Sequence, residues 1–189
     1  LETLDIYAPL ANRLGIAWMK TGLEDLAFRQ LHPAEYEDIS QRVTKKHQEQ
    51  EAYIAEVQKM IQAKLADAEV PAEVSGRAKH YYGIWAKMMR QNIPFDQVYD
   101  IRAVRVITDS VRNCYAVLGT IHSLWTPVPG RFKDFIAMPK ANGYQSLHTV
   151  LMGMHGVPIE VQIRTQEMED MANNGIAAHW LYKSDGQTT

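Results

Sequence analysis

Residues 159–164 read Ile159-Glu160-Val161-Gln162-Ile163-Arg164. Successive side chains of a strand point to opposite faces, so Ile159, Val161 and Ile163 share one face and Glu160, Gln162 and Arg164 the other. β-Branched residues at every second position favour a strand over a helix. One face is core and the other polar, and an antiparallel sheet with one wet side explains this without any function. Just upstream, Leu147 to Gly153 has the same strand character and joins this segment around His155-Gly156, as a hairpin would.

Further out, Tyr99 to Thr108 is rich in Ile and Val and reads as a strand, and Asp134 to Met138 as another. Val111 to Trp125 is an amphipathic helix, and Pro127 to Gly130 and Pro139 to Gly143 are loops. Val74 to Met89 begins as a short strand or turn and becomes a helix with the stripe Tyr81, Ile84, Trp85 and Met88. A long helix or helical pair spans Glu35 to about Leu65, with Ile54, Val57, Ile61 and Leu65 on one stripe. Residues 4–18 and 21–31 also carry helical spacing, broken at His32-Pro33, and a last helix runs from Gln166 to Tyr182. The expected fold is α+β: a mixed β-sheet flanked by helices, with an N-terminal helical arm.

The chain has 189 residues, 46% hydrophobic and 22% charged, enough to bury one core and too apolar for disorder. Its net charge of −2 argues against a general nucleic-acid coat or a membrane-surface protein. The charge is divided, however. Residues 74–164 hold eleven bases and five acids, a net +6, while residues 21–73 hold six bases and eleven acids. The middle of the chain is built for anions. The single cysteine, Cys114, shares a helical stripe with Val117, Leu118 and Ile121 and reads as a buried thiol. No apolar run reaches the length of a membrane span and no signal segment opens the chain, so a reducing, cytoplasmic setting is expected. The start at Leu1 inside a helical pattern and the polar end read as a piece of a longer protein.

Four features of the basic middle have chemical potential. Gly76-Arg77-Ala78-Lys79 is followed by Gly83 and Lys87, and Lys79, Gly83 and Lys87 recur every fourth residue. On a helix they share a face entered through a glycine, which suits a polyphosphate; a solvated face would show the same spacing. Asp100 opens the Ile101 to Ile107 strand with Arg102 and Arg105 as its charged neighbours, as a magnesium anchor or an ion-pair partner. Glu160, if it met Asp100, would complete a carboxylate pair for Mg²⁺ with one member left to accept a proton. Finally, Arg131-Phe132-Lys133-Asp134 and Lys140-Ala141-Asn142-Gly143-Tyr144-Gln145-Ser146-Leu147-His148 set lysines beside an Asn-Gly turn, an aromatic ring and a histidine. These suit a phosphorylated base stacked on Tyr144, although Tyr144 would equally serve in a core. No zinc spacing, Walker A string or dinucleotide glycine pattern occurs.

Val74 to His80, Asp100 to Arg105, Lys133 to Thr149 and Glu160-Val161-Gln162-Ile163-Arg164-Thr165, in this order, resemble the synthetase domain of the RelA/SpoT family of alarmone enzymes. The resemblance covers nearly the whole chain. It implies a nucleotidyltransferase-like sheet and transfer of the β,γ-diphosphate of ATP to the 3′-hydroxyl of GTP or GDP, making (p)ppGpp and releasing AMP. Carried over position by position, Arg77, Lys79 and Lys87 would hold the ATP phosphates, and Arg77 and Arg105 would flank adenine. Asp100 would bind Mg²⁺, and Glu160 would activate the hydroxyl and share the metal. Lys140, Asn142, Tyr144 and His148, with Lys133 and Gln162, would hold the guanine nucleotide. Gly83 stands where many relatives have a serine facing ATP. Arg131-Phe132-Lys133-Asp134 is similar to the Arg-x-Lys-Asp of bifunctional members rather than the acidic Glu-x-Asp-Asp of synthesis-only ones.

Residues 1–32 resemble the end of the hydrolase domain that precedes the synthetase, leaving residues 33–189 as the synthetase domain, helical over 33–70 and a mixed-sheet core over 71–189. The resemblance implies flanking hydrolase and C-terminal regulatory domains in the parent chain, with any ribosome contact made through them, and no membrane partner. No His-Asp dipeptide occurs, so no alarmone hydrolysis by this chain is expected. Two other readings stay open: a catalytically silent nucleotide-binding module, and nucleotidyl transfer, for which the Gly-Ser entry and Asp-x-Asp pair are missing.

Overall fold

The computed structural model describes residues 1–98 and 102–175. A π-helical turn (Thr3–Tyr7) leads into α1 (Ala8–Arg13), α2 (Ala17–Leu31) and the long α3 (Pro33–Asp67). Then come β1 (Ala72–Ala78), α4 (Tyr81–Gln91), β2 (Arg102–Thr108), α5 (Val111–Leu124), β3 (Lys133–Asp134), β4 (Leu147–Met152), β5 (Pro158–Thr165) and α6 (Gln166–Asn174). The strands form a five-stranded sheet in the order β1-β2-β5-β4-β3. β2 and β5 are parallel and the other neighbours antiparallel, so the sheet is mixed.

The apolar face of β5 lies where alternation puts it. Ile159, Val161 and Ile163 join Val104, Val106, Leu147 and Leu151 against Val57, Ile61 and Leu65 of α3 and Cys114, Val117 and Ile121 of α5. Each large aliphatic side chain so buried contributes about 1.5–3 kcal/mol relative to exposure. A second cluster joins Ile39 and Val43 of α3 to Ile84, Phe95 and Val98, with Tyr81, Trp85 and Met88 packed beside them. Ser110 caps α5 by accepting the Asn113 N–H, and Thr165 caps α6 by accepting the Met168 N–H.

Several elements depart from expectation. The strand foreseen over Asp134 to Met138 is only Lys133–Asp134, because the Asp134 carboxylate turns back to accept the N–H groups of Ile136 and Ala137, at 3.0 and 2.8 Å. Gly76, Arg77 and Ala78 belong to β1, and α4 begins only at Tyr81, so Lys79 precedes the helix and shares no helical face with Gly83 and Lys87. The polar face of β5 is not wet: Gln162 and Arg164 are each only 3% exposed. The helix expected from Gln166 to Tyr182 is α6, ending at Asn174; the part of that expectation beyond Gly175 lies outside the described residues. No described helix is long and apolar enough to cross a membrane.

Candidate functional site

Strand register brings the polar side chains to one level of the sheet. Lys133 pairs with His148, His148 with Gln162, Gln162 with Arg105, and Arg105 with Ser75. One step along, Arg77 pairs with Ala103 and Ala103 with Glu160. Directly paired residues point to the same side, so Arg77, Arg105, His148, Glu160, Gln162 and Arg164 all stand on the face opposite α3 and α5.

Gln162 is the hub of this face. Its Oε1 accepts hydrogen bonds from Arg77 Nη1 at 3.1 Å and Arg164 Nη2 at 2.8 Å, and its Nε2 donates to Glu160 Oε1 at 2.9 Å. His148 Nδ1 lies 3.4 Å from the same Glu160 oxygen, and His148 Nε2 lies 2.7 Å from Tyr144 Oη. Arg164 Nη2 donates to Tyr144 Oη at 3.0 Å. The pattern is satisfied when the tyrosine donates its own proton to His148 Nε2, which leaves an Nδ1–H facing Glu160. Burial pushes the His148 imidazole below its ordinary pKa, with the Glu160 carboxylate offsetting part of the effect. Burial likewise lowers Arg164, which is steadied by Tyr144 and Glu169.

Lys140 places its ammonium 4.7 Å from the Phe135 ring centre and 4.9 Å from that of Tyr144. Desolvation there, followed by the charges of Lys133 and Lys20, holds its pKa below the ordinary lysine value. Gly143 has φ +78°, so the Asn142-Gly143 turn uses the left-handed conformation that glycine adopts without strain. Asn142 Oδ1 accepts the Tyr144 N–H at 3.2 Å, fixing the loop that presents the ring.

Two cavities open on this face, sharing Arg77 and His80. One, of about 210 Å³, is walled by Arg77, Arg105, Lys140, Asn142, Tyr144 and Arg164 and by residues of α1, α2 and the turn between them. The other, of about 190 Å³, is lined by Arg77, Lys79, His80, Ala103, Glu160 and Gln162. The structure therefore unites Arg77, Arg105, Lys140, Asn142 and Tyr144 around one space and Lys79, Glu160 and Gln162 with Arg77 around its neighbour. His148 lines neither cavity but bridges Tyr144 to Glu160. Lys87, on α4, and Lys133, on β3, line neither. Asp100 lies outside the described residues.

Mg²⁺ binds one or two carboxylates and completes its shell with phosphate oxygens and water. Glu160 offers one such carboxylate on the cavity wall, with Oε1 already meeting Gln162 and His148. Among the described residues no group of three or more His, Cys, Asp or Glu is arranged to hold a metal. Glu160 thus offers one ligand of such a shell, and Asp100, the other carboxylate expected here, lies outside the described residues.

Sequence reasoning missed Arg164 as a site residue, although the alternation with Glu160 and Gln162 pointed to it. It also missed the second partner of the arginines. Glu169 on α6 binds Arg105 Nη1 through Oε1 at 2.6 Å and Arg164 Nη1 through Oε2 at 3.2 Å. At Gly83 a Cβ would stand 2.7–3.1 Å from the His80 ring atoms, so the histidine occupies the room a side chain there would need.

A model of the region found in RelA / SpoT proteins matches residues 76–187. The chain is 54% identical over 182 residues to a GTP pyrophosphokinase of Myxococcus xanthus, covering 96% of this chain and 24% of that protein. It is 50% identical over 188 residues to the bifunctional (p)ppGpp synthase/hydrolase SpoT of Escherichia coli K12, covering 100% of this chain and 27% of that one. The chain thus spans about a quarter of the length of these relatives. The small alarmone synthetase 1 of Bacillus subtilis superposes with a TM-score of 0.57 at 25% identity, over 77% of this chain and 82% of its own.

Proposed function

The chain belongs to the RelA/SpoT family, and we propose that it transfers the β,γ-diphosphate of ATP to the 3′-hydroxyl of GTP or GDP, releasing AMP. The observation that carries this reading is the convergence of Arg77, Lys79, Arg105 and Lys140 with Glu160, the one carboxylate lining them among the described residues, around two adjoining cavities. A cavity lined by cations and one base suits a reaction between two polyphosphates and a hydroxyl.

In this mechanism Arg77 and Lys79, with Lys87, bind the ATP phosphates, and Arg77 and Arg105 flank the adenine. Lys140, Asn142, Tyr144 and His148, with Lys133, hold the guanine nucleotide, and its base stacks on Tyr144. Glu160 accepts the proton of the 3′-hydroxyl as the oxygen attacks the β-phosphorus of ATP. The bond from that phosphorus to the oxygen shared with the α-phosphate breaks, and AMP departs with the bridging oxygen. Gln162 acts behind the reacting atoms: it orients Arg77 toward the phosphates and Glu160 toward the hydroxyl with one side chain. Mg²⁺, held by Glu160 and Asp100, would supply charge neutralisation on the transferring diphosphate. Catalysis is then mainly alignment and electrostatic stabilisation.

The parent protein would carry a hydrolase region before this one and a regulatory region after it, would be bifunctional, and would work in the cytoplasm, where ATP and GTP are abundant. Any ribosome contact would run through those flanking regions. Within the chain, residues 1–32 form the linker and residues 33–189 the synthetase. Glu160→Gln tests the reading: it is expected to fold as the wild type does and to lose about 10²–10⁴-fold in AMP release, the range of a general base. AMP release at the wild-type rate would remove Glu160 from this role.

A further inference from the structure

The larger cavity has a wall that does not come from the sheet. Asn12, Gly15, Ala17, Lys20 and Thr21, all from α1, α2 and their connection, face Arg77, Arg105, Lys140, Tyr144 and Arg164 across it. None of these arm residues lies in the stretch that matches the family model.

The arm is fixed at four points. The Asp25 carboxylate accepts the Tyr81 and Tyr82 N–H groups, at 3.4 and 2.8 Å, and so caps α4 from outside. Glu24 Oε2 meets His80 Nε2 at 3.0 Å. Asn142 Nδ2 donates to the Asn12 carbonyl at 3.2 Å, and the α1–α2 turn packs backbone to backbone against Gly175, where any Cβ would strike Leu14 and Gly15. Lys20 therefore stands on a helix with little freedom to withdraw.

Its charge is only partly spent. Lys20 Nζ lies 2.9 Å from Glu24 Oε1 and 3.0 Å from Oε2, but Oε2 also meets His80 Nε2, and an ammonium has three N–H donors. The Lys20 side chain remains 30% exposed. Five cations, Lys20, Arg77, Arg105, Lys140 and Arg164, line this cavity, and among the described residues no carboxylate lines it. Arg105 and Arg164 have Glu169 behind them; Lys20 and Lys140 stand near enough for the charge of one to weigh on the other, and neither is offset from within the cavity. Lys20 and Lys140 thus present two ammonium groups to one cavity, where an anion would offset both.

We propose that Lys20, contributed by the arm, binds the 5′-phosphates of the guanine nucleotide together with Lys140. The proposal rests on the function proposed above, and it makes the arm a structural part of the acceptor site. The test uses the full chain and two probes, GDP and a non-hydrolysable ATP analogue, titrated separately by calorimetry into wild type, Lys20→Met and Lys20→Arg. A charge-assisted hydrogen bond to phosphate corresponds to roughly a tenfold change in affinity. The expected result is about tenfold weaker GDP binding by Lys20→Met, unchanged binding of the ATP analogue and recovery of GDP binding in Lys20→Arg. GDP binding by Lys20→Met equal to wild type overturns the proposal. Equal weakening of both nucleotides with a lowered melting temperature also overturns it, since Lys20 would then serve only Glu24. Wild-type protein that binds no GDP would instead refute the function itself, so the two failures are separable.

Discussion

Glu169→Gln removes one charge and almost no volume from the node that ties the two halves of the site together. Glu169 is 7% exposed and holds Arg105 through one oxygen and Arg164 through the other, while Asn173 Nδ2 donates to Oε1 at 3.1 Å. Glutamine keeps one acceptor and turns the other oxygen into a donor aimed at a guanidinium. Removing one partner of a buried ion pair costs about 3–5 kcal/mol, because the remaining charge stays buried without compensation. The Arg164 side chain is 4% exposed and cannot recover water, whereas that of Arg105 is 25% exposed and can in part. The lower end of the range, about 3 kcal/mol, therefore applies. For a chain of this length that is a fall of roughly 6–12 °C in melting temperature. Urea unfolding should show the loss as a lower midpoint at unchanged slope. Arg164→Met should then cost less in the Glu169→Gln background than in wild type, by about 1–3 kcal/mol of coupling. The guanine nucleotide KM should rise as well, since Arg164, which donates to Tyr144 Oη, loses the carboxylate that positions it. Stability within about 0.5 kcal/mol of wild type, the range of ordinary surface changes, would refute the reasoning.

Gly175 has φ +58° and ψ −137°, a conformation closed to side chains, and its Cβ position is filled by Leu14 and Gly15. Gly175→Ala should destabilise by about 1–3 kcal/mol or more. Gly22→Ala, inside α2 with no atom within 4 Å of the new methyl, should instead stabilise by about 0.5–1 kcal/mol; equal effects in thermal melts would contradict the close approach at Gly175. The Cys114 thiol is buried and pushed up to about 11, so it should resist a thiol reagent at pH 8 and react at the rate of unfolding; prompt labelling of native protein would contradict its burial. Burial opposes ionisation of Glu24, but hydrogen bonds from His80 and Lys20 outweigh it and hold the carboxyl below its ordinary pKa. Its stabilisation is therefore present above the ordinary carboxylate range and lost as pH falls through the depressed value, and Glu24→Gln should flatten the acid limb of the stability curve. An acid limb of unchanged slope would show that Glu24 does not titrate this way.

The fold was legible wherever a local pattern and the tertiary environment agree. Alternation in Ile159 to Arg164 set both the strand and its two faces, and the stripes of α3 and α4 marked the surfaces that pack. It did not show that Gln162 and Arg164 are buried, because their cover comes from α6 and the Tyr144 loop, which no period in β5 encodes. Lys79, Gly83 and Lys87 fit a helical spacing of four, yet β1 runs through Arg77 to Ala78 and α4 begins only at Tyr81, which leaves Lys79 in the link between them. The strand won, since β1 gains a full ladder with β2. The expected strand after Asp134 failed to a single side chain that satisfies two backbone donors locally. Glu24, Asp25 and Lys20 act on residues more than fifty positions away in the chain, so the arm's part in the site could be read only from the folded molecule.

The measurement closest to the central claim follows the phosphorus. The wild-type chain, given ATP labelled at the γ-phosphate, GTP and Mg²⁺, should release one AMP for each label that appears in a guanosine pentaphosphate, and Glu160→Gln should do neither. Label leaving as pyrophosphate or inorganic phosphate, or ADP in place of AMP, would contradict diphosphate transfer by this site.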